Sequence, residues 1–286
     1  MGRATLKPKT LDDLFRDGIA LLRERPQSVL ESKVLLLRAA SLSEEDFFAA
    51  PQTGVSPKTE AYFLRLVGRR RHGVPLSYLT GTKEFWSIPL RVSPSVLIPR
   101  PETEVLVEKV LELSGRGAEC ILDLGTGSGN IAVALARELP RARIVASDIS
   151  ARALAVARRN ASLQRARRIE FVRSNLFGTF RGMGVRFDFI VSNPPYVSRR
   201  EWEELPPEIR EYEPRRALLA GESGLEFVCR LVRGARTFLK RGGHLIFEIG
   251  EGQRNEVLNL FGKGWMEIET AWDLAGTPRV ITARRA

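Results

Sequence analysis

Four consecutive residues, Asn193, Pro194, Pro195 and Tyr196, follow the apolar run "FDFIVS" and make a stiff corner built almost wholly of hydrogen-bond acceptors. Two prolines in a row remove two backbone N–H donors, which is more than ending a strand requires. What remains is the Asn193 side-chain oxygen and the Pro194 carbonyl, held at a fixed separation by the rings. Two such acceptors suit a planar NH2 group, which has two hydrogens to give. A planar amino nitrogen is a poor nucleophile because its lone pair is delocalised. Accepting both hydrogens shifts electron density back to the nitrogen and aims it at an incoming carbon, with Tyr196 packed against the flat group. The plainer alternative is a proline pair that only terminates a strand.

A second cluster, "DLGTGSGN", runs from Asp123 to Asn130 between an apolar strand and a helix. Gly125, Gly127 and Gly129 are spaced G-x-G-x-G, with Thr126 and Ser128 between them. The third glycine falls one residue earlier than in the dinucleotide fingerprint, and no phosphate-loop Gly-Lys-Ser/Thr follows. Asp148 closes "IVASD", where a carboxylate can accept both hydroxyls of a ribose or cap the helix starting near Ser150. In "RSNLF", Asn175 can offer its amide oxygen to an adenine amino group, with Leu176 and Phe177 over the ring, or simply begin a polar loop. Glycines that let a ligand lie on the backbone, a carboxylate for a ribose and no phosphate cradle point to S-adenosylmethionine. Its sulfonium is electrophile and leaving group at once, so the protein's task is alignment and water exclusion. A methylated amino nitrogen is very acidic and loses its proton to water or a nearby carbonyl. The absence of a catalytic His or Cys is therefore expected.

Something must bring these clusters together. From Cys120 onward strand and helix patterns alternate: "CILDLG", "ARIVAS", "IEFVRS", "FDFIVS" and "GHLIFEIG" are strands, "NIAVALAREL", "ARALAVARRNASL" and "GLEFVCRLVRGARTFLK" are helices, and "EVLNLF" is a short helix. "WMEIETAWD" and "RVITARR" are two last strands joined by "LAGTP". Alternation predicts a doubly wound, mostly parallel seven-stranded α/β sheet, and the final pair predicts an antiparallel edge. Ligands of such sheets sit beyond the carboxyl ends of the strands, which would place both clusters at one crevice. Residues 1–80 read as a small helical bundle, with Ser43 and Asp46 as a helix-start box. Residues 81–100 read as a linker with a hairpin near 84–93, and a new helix follows near Glu102.

Composition bounds the partners. The chain has 286 residues and a net charge of +11. The excess is spread evenly, +4 over residues 1–80 and +7 over the rest. It suits an anionic partner or a merely solvated basic surface. Cys120 and Cys229 have no partner at metal or framework spacing and read as core thiols, and His72 and His244 bring no ligand spacing either, so no metal is expected. The start "MGRATLKPKT" lacks an apolar signal core, no run reaches membrane-spanning length, and cytoplasmic location follows as the default.

The motifs resemble, in order and over nearly the whole chain, those of the peptide-chain release factor glutamine methyltransferases, the HemK-type family of class I S-adenosylmethionine-dependent methyltransferases. The resemblance rests on "RRRHGVPLSYLTGTKEFW", "VLIPRPETE", "DLGTGSG", "SNPPY", "EPRRALLAGESGLEF", "FEIGEGQ" and "DLAGTPRV". "NPPY" is shared with enzymes that methylate DNA adenine; "IPRPETE" ahead of the glycine turn is more specific. The resemblance implies the class I methyltransferase fold and N5-methylation of the glutamine in the Gly-Gly-Gln loop of class 1 release factors, with S-adenosylhomocysteine as the other product. It implies that Gly125, Thr126, Gly127, Ser128, Gly129, Asp148, Asn175, Leu176 and the edge of Asn193 hold the cofactor. Asn193, Pro194, Pro195 and Tyr196 would hold the glutamine, and Pro101, Glu102 and Thr103 would close the site. Asn175 stands where the family commonly has Asp, which implies weakened rather than lost cofactor binding. The helical part would grip the release factor, with Arg69–Arg71 as contacts or as a solvated run. The expected enzyme is a monomer that needs no nucleic acid for catalysis. Two alternatives stay open: a nucleic-acid amino methyltransferase acting on adenine N6 or guanine N2, and a catalytically silent RNA- or ribosome-binding protein on the same fold.

Overall fold

Helix starts are written locally. Thr10 and Asp13 form a capping box, as do Ser43 with Asp46 and Ser198 with Glu201; Ser56 caps ahead of Pro57 at the first helical position. The computed structural model describes residues 8–115 and 119–286. Residues 1–7, read above as lacking a signal core, lie outside the described residues.

In chain order the elements are α1 (Leu11–Leu21), α2 (Ser28–Ala40), α3 (Glu44–Ala49), α4 (Pro57–Arg71), α5 (Leu76–Thr80), β1 (Thr82–Phe85), β2 (Ile88–Arg91), α6 (Glu104–Leu113), β3 (Cys120–Leu124), α7 (Asn130–Glu138), β4 (Arg143–Asp148) and α8 (Ala151–Leu163). There follow β5 (Ile169–Arg173), β6 (Phe187–Ser192), β7 (Val197–Ser198), α9 (Arg199–Glu204), α10 (Pro207–Tyr212), β8 (Leu219–Gly221), α11 (Glu226–Phe238), β9 (Leu239–Glu248), α12 (Arg254–Leu258), β10 (Trp265–Trp272) and β11 (Pro278–Arg285).

The first unit comprises residues up to Gly81 together with Pro207–Tyr212. Leu11, Leu14, Leu35, Leu36, Phe63 and Leu66 are its buried apolar centre. Arg70 is buried there: its guanidinium pairs with Glu31 at 2.7 Å and Glu208 at 2.9 Å and donates to the Val74 carbonyl at 2.8 Å. Of the run Arg69–Arg71, only Arg69 and Arg71 are therefore exposed. Arg70 is committed to the unit's own acids, and through Glu208 it fastens α10 to α4.

The second unit holds the remainder. Its seven-stranded sheet runs β10-β11-β9-β6-β3-β4-β5. β3, β4, β5, β6 and β9 are parallel neighbours, and β11 runs antiparallel to both β9 and β10. Ile121, Leu122, Asp123 and Leu124 are all buried because the sheet is covered on both faces. On one face Leu106, Val107, Val110, Ile131 and Leu135 pack over the strands; on the other Val228, Leu231, Val232 and Phe238 do. Chain order runs from β3 outward to β5 and then restarts at β6 on β3's other side, so the crevice between β3 and β6 is the topological switch point.

The hairpin β1–β2 turns through Trp86 and Ser87, both at positive φ (55° and 53°), a geometry that usually selects Asn-Gly. Tertiary bonds hold it: Trp86 N–H donates to Glu104 at 2.7 Å and the indole N–H to Glu138 at 2.9 Å. Cys120 and Cys229 are half-buried free thiols rather than fully enclosed ones.

Candidate active site

After Leu124 the backbone N–H groups of Gly125 and Thr126 both donate to the Ser147 carbonyl, at 2.8 and 2.9 Å, which folds the glycine turn over the end of β4. Gly125 sits at φ +75°, and a Cβ there would meet nothing within 4 Å, so bare backbone forms the floor of an open cleft. Gly129 (φ +81°) differs: its Cβ would lie 3.0 Å from that of Ala157, so this glycine lets α7 and α8 approach. Asn160, fully buried on α8, donates to the Ser128 carbonyl at 2.8 Å and exchanges bonds with the backbone of Arg91, pinning turn and hairpin together. Thr126 Oγ1 donates to Asp123 Oδ2 at 2.6 Å, and burial pushes the Asp123 carboxyl up to about 7.

Asp148 accepts from the Gly127 N–H at 3.0 Å and the Ser150 N–H at 2.8 Å. Ser150 itself caps α8 through Ala153. Asp148 thus braces the turn and leaves the cap to Ser150. Burial raises its carboxyl above the usual range, and those two N–H donors and Arg216 oppose the rise.

The corner arrives from β6 beside this turn. Asp123 pairs with Val191 in register, and Ser192 Oγ donates to the Leu124 carbonyl at 2.7 Å. Asn193 Nδ2 donates to Thr103 Oγ1 at 2.9 Å, and Thr103 Oγ1 donates to Glu248 Oε2 at 2.6 Å. Burial lifts Glu248 to about 7, against the pull of Thr103, Arg279 and Tyr196. The Tyr196 hydroxyl engages the same carboxyl, and burial, then the Glu248 charge, raises the phenol. The Tyr196 carbonyl accepts from Gln253 Nε2 at 2.8 Å, which fixes the far end of the corner.

Turn and corner open on one cleft of about 1010 Å³, counted out to its solvent mouth. Of the residues singled out in the sequence, Gly125, Thr126, Gly127, Ser128, Asp148, Asn175, Leu176, Asn193, Pro195 and Thr103 line it. Gly129, Pro194, Tyr196, Pro101 and Glu102 do not: Gly129 packs α7 on α8, Pro194 is buried, Pro101 is exposed, and Tyr196 turns to Glu248. Asn175 is exposed, with its amide oxygen accepting from Arg230 at 3.2 Å. Phe177, expected over a ligand ring, is instead in the core, stacked on Phe238 with ring centres 4.9 Å apart. The αL conformation of Leu176 (φ 49°) separates the two side chains, Leu176 toward the cleft and Phe177 into the core.

Sequence reasoning missed several wall residues. Val96, Leu97, Pro99 and Arg100 form a strap along the cleft, held where Glu213 accepts from the Ile98 N–H at 3.0 Å and pairs with Arg100. Ile149 and Phe227 add apolar wall. The proline-spaced apolar run "SPSVLIPR" was the available signal for the strap. Glu248 had none beyond its place at a strand end.

The cleft suits a nucleoside with an amino-acid tail. It has an open backbone floor, a carboxylate at Asp148 and apolar walls. Among the described residues its charged lining groups are Asp148, Arg100 and Arg216, with Arg100 already paired to Glu213. That set does not cradle a pyrophosphate. Among the described residues there is also no group of three or more His, Cys, Asp or Glu able to hold a metal.

Comparison with known proteins bears on both units. The methyltransferase small domain family matches residues 101–205, and the PrmC N-terminal domain family matches residues 13–81. A release factor glutamine methyltransferase of Koribacter versatilis is 38% identical over 279 residues, covering 96% of this chain and 99% of its own. The protein of that name from Moorella thermoacetica is 43% identical over 266 residues, 92% of each chain. The chain belongs to the release factor glutamine methyltransferase family. It is a methyltransferase, and its sheet is the class I methyltransferase fold. A methyltransferase structure from Pyrococcus furiosus shares that fold, with a TM-score of 0.53 at 19% identity over 76% of this chain and 98% of the other. Among the described residues of this family member, no helix is long and apolar enough to cross a membrane.

Proposed function

We propose that the chain methylates the side-chain amide nitrogen (N5) of the glutamine in the Gly-Gly-Gln loop of class 1 peptide-chain release factors, using S-adenosylmethionine. The observation that carries this reading is the junction of an acceptor corner and a backbone-floored nucleoside cleft across adjacent strands β3 and β6. The choice of glutamine, rather than another planar amine, rests on family membership.

Gly125–Ser128 give the cofactor's tail a backbone surface, Asp148 takes the ribose hydroxyls, and Asn175 with Leu176 meets the adenine edge. When bound, S-adenosylmethionine supplies a methyl carbon on a positively charged sulfur. The Asn193 side-chain oxygen and the Pro194 carbonyl accept the two hydrogens of the glutamine amide. That fixes its plane and returns electron density to nitrogen. Pro195 flanks the flat group, with Tyr196 held behind it on Glu248, while Val96, Leu97, Ile149 and Phe227 keep water from the line of transfer. The proton of the methylated nitrogen leaves to water or to a neighbouring carbonyl, so no strong base is needed. Thr103 borders the cleft on the strap side, while Pro101 and Glu102 lie off it.

The helical unit would grip the body of the release factor. Support comes from its exposed Val29, Leu30 and Phe48 and from the exposed Arg69 and Arg71. The +11 charge favours the second reading, a nucleic-acid amino methyltransferase. Incubation with methyl-labelled S-adenosylmethionine and, separately, a release factor, duplex DNA and ribosomal RNA decides between them. The account expects label in the release factor alone; label confined to nucleic acid would overturn it.

A further inference from the structure

The corner contains an ambiguity that its sequence leaves open. A carboxamide has two nearly isosteric ends, and only the oxygen of Asn193 can accept from a substrate amide. With its nitrogen turned to the cleft, Asn193 would set two donors against the two hydrogens it must hold. We infer that Glu248, acting through the Thr103 hydroxyl, is the positioning residue that fixes which end of Asn193 faces the substrate. The inference rests on the glutamine-methylation reading above and assigns that reaction a residue that touches neither substrate nor cofactor.

The available hydrogens decide the orientation. Thr103 Oγ1 carries one, and with Glu248 ionised, as it is at pH 8, it goes to Glu248 Oε2 at 2.6 Å. Toward Asn193 the hydroxyl then has only lone pairs, so it must accept, and it does so from Asn193 Nδ2 at 2.9 Å. The nitrogen is thereby spent and the oxygen is left for the cleft, whose wall includes Asn193. Thr103 is 1% exposed and Glu248 2% exposed, so water does not stand in for either partner. Burying a carboxyl is costly unless its partners repay the lost hydration. Here Thr103, Tyr196 and Arg279 converge on it from three segments of the chain. An anchor that only tied the strap end to β9 would need no such group; an apolar pair of similar volume would serve.

The test uses the full-length enzyme with an intact release factor. Thr103→Val keeps the shape and deletes the hydroxyl; Thr103→Ser restores it. Since the relay supplies one hydrogen bond's worth of orientation, Thr103→Val should lower kcat about tenfold. S-adenosylhomocysteine affinity by titration calorimetry and KM for the release factor should stay within about twofold. Thr103→Ser should recover most of the lost turnover. Glu248→Leu should lower kcat similarly, and the double variant should lose no more than either single change, because the two side chains act as one unit. Wild-type kcat in Thr103→Val would overturn the inference. So would a Ser variant as impaired as the Val variant, or a loss of cofactor affinity in step with kcat. Asn193→Ala in the same assays separates the two claims. If it keeps full transfer, the acceptor corner itself is wrong; if it is dead while Thr103→Val is fully active, only the relay fails.

Discussion

The two buried carboxyls beneath the cleft should make the α/β unit less stable as pH rises through neutrality, and Glu248 can be isolated by Glu248→Gln. Its carboxyl moves from the ordinary value of 4.5 to about 7, chiefly through burial. Between those values the folded protein keeps a proton that the unfolded chain has released. The contribution is therefore fully present below pH 4.5 and is lost as pH rises through 7. From pH 5 to pH 8 that loss is about 2–3 kcal/mol for this one group. Asp123, raised from 3.8 to about 7 by burial, contributes in the same direction over the window from 3.8 to 7. The four tryptophans, Trp86, Trp202, Trp265 and Trp272, all lie in the α/β unit, so indole fluorescence in urea reports that unit alone. With a urea slope of about 2 kcal/mol per molar, the wild-type midpoint should fall between pH 5 and pH 8 by about 1 M more than that of Glu248→Gln. Equal pH dependence in the two proteins would show that Glu248 ionises in the fold as freely as in water, and the argument from burial would be refuted.

Three further outcomes follow from the packing. Gly129→Ala forces a side chain to positive φ and against Ala157, and should cost about 2 kcal/mol in the same urea assay, whereas Gly182→Ala, at positive φ but in open space, should cost about half that. Phe177→Ala empties a core stack and should destabilise by about 3–5 kcal/mol, with S-adenosylhomocysteine affinity unchanged in the folded fraction; weakened affinity without lost stability would return Phe177 to the ligand. Arg70→Ala removes one of the two arginines on the buried Glu31, Arg25 remaining at 2.9 Å, and should speed hydrogen exchange in α2 and α4 by a loss of about 2 kcal/mol, while Arg69→Ala should change exchange by less than about 0.5 kcal/mol.

The parallel sheet was legible because its strands are continuous apolar runs and its helices are periodic, and both patterns follow directly from burial on two faces. The Ser43–Asp46 box was legible because the bond it makes spans only three residues. The placements that escaped were those set by distant partners. Phe177 reads the same whether it covers a ligand or stacks on Phe238, 61 residues later in sequence. Arg70 looks like its neighbours Arg69 and Arg71 until Glu31 and Glu208 are seen beside it. The turn at Trp86 and Ser87 carries neither Asn nor Gly because Glu104 and Glu138 hold it. Glu248 is a strand-end acid in sequence and a buried member of the corner in the fold, since the residue that explains it, Thr103, is 145 positions away.

The central claim is that the Asn193–Pro194 acceptors hold the amide that receives the methyl group. Single-turnover methyl transfer by Asn193→Ala to an intact release factor, with S-adenosylhomocysteine affinity measured on the same preparation, tests it most directly. The account predicts transfer reduced by about 10²-fold or more, with affinity largely retained. Transfer at the wild-type rate would contradict it.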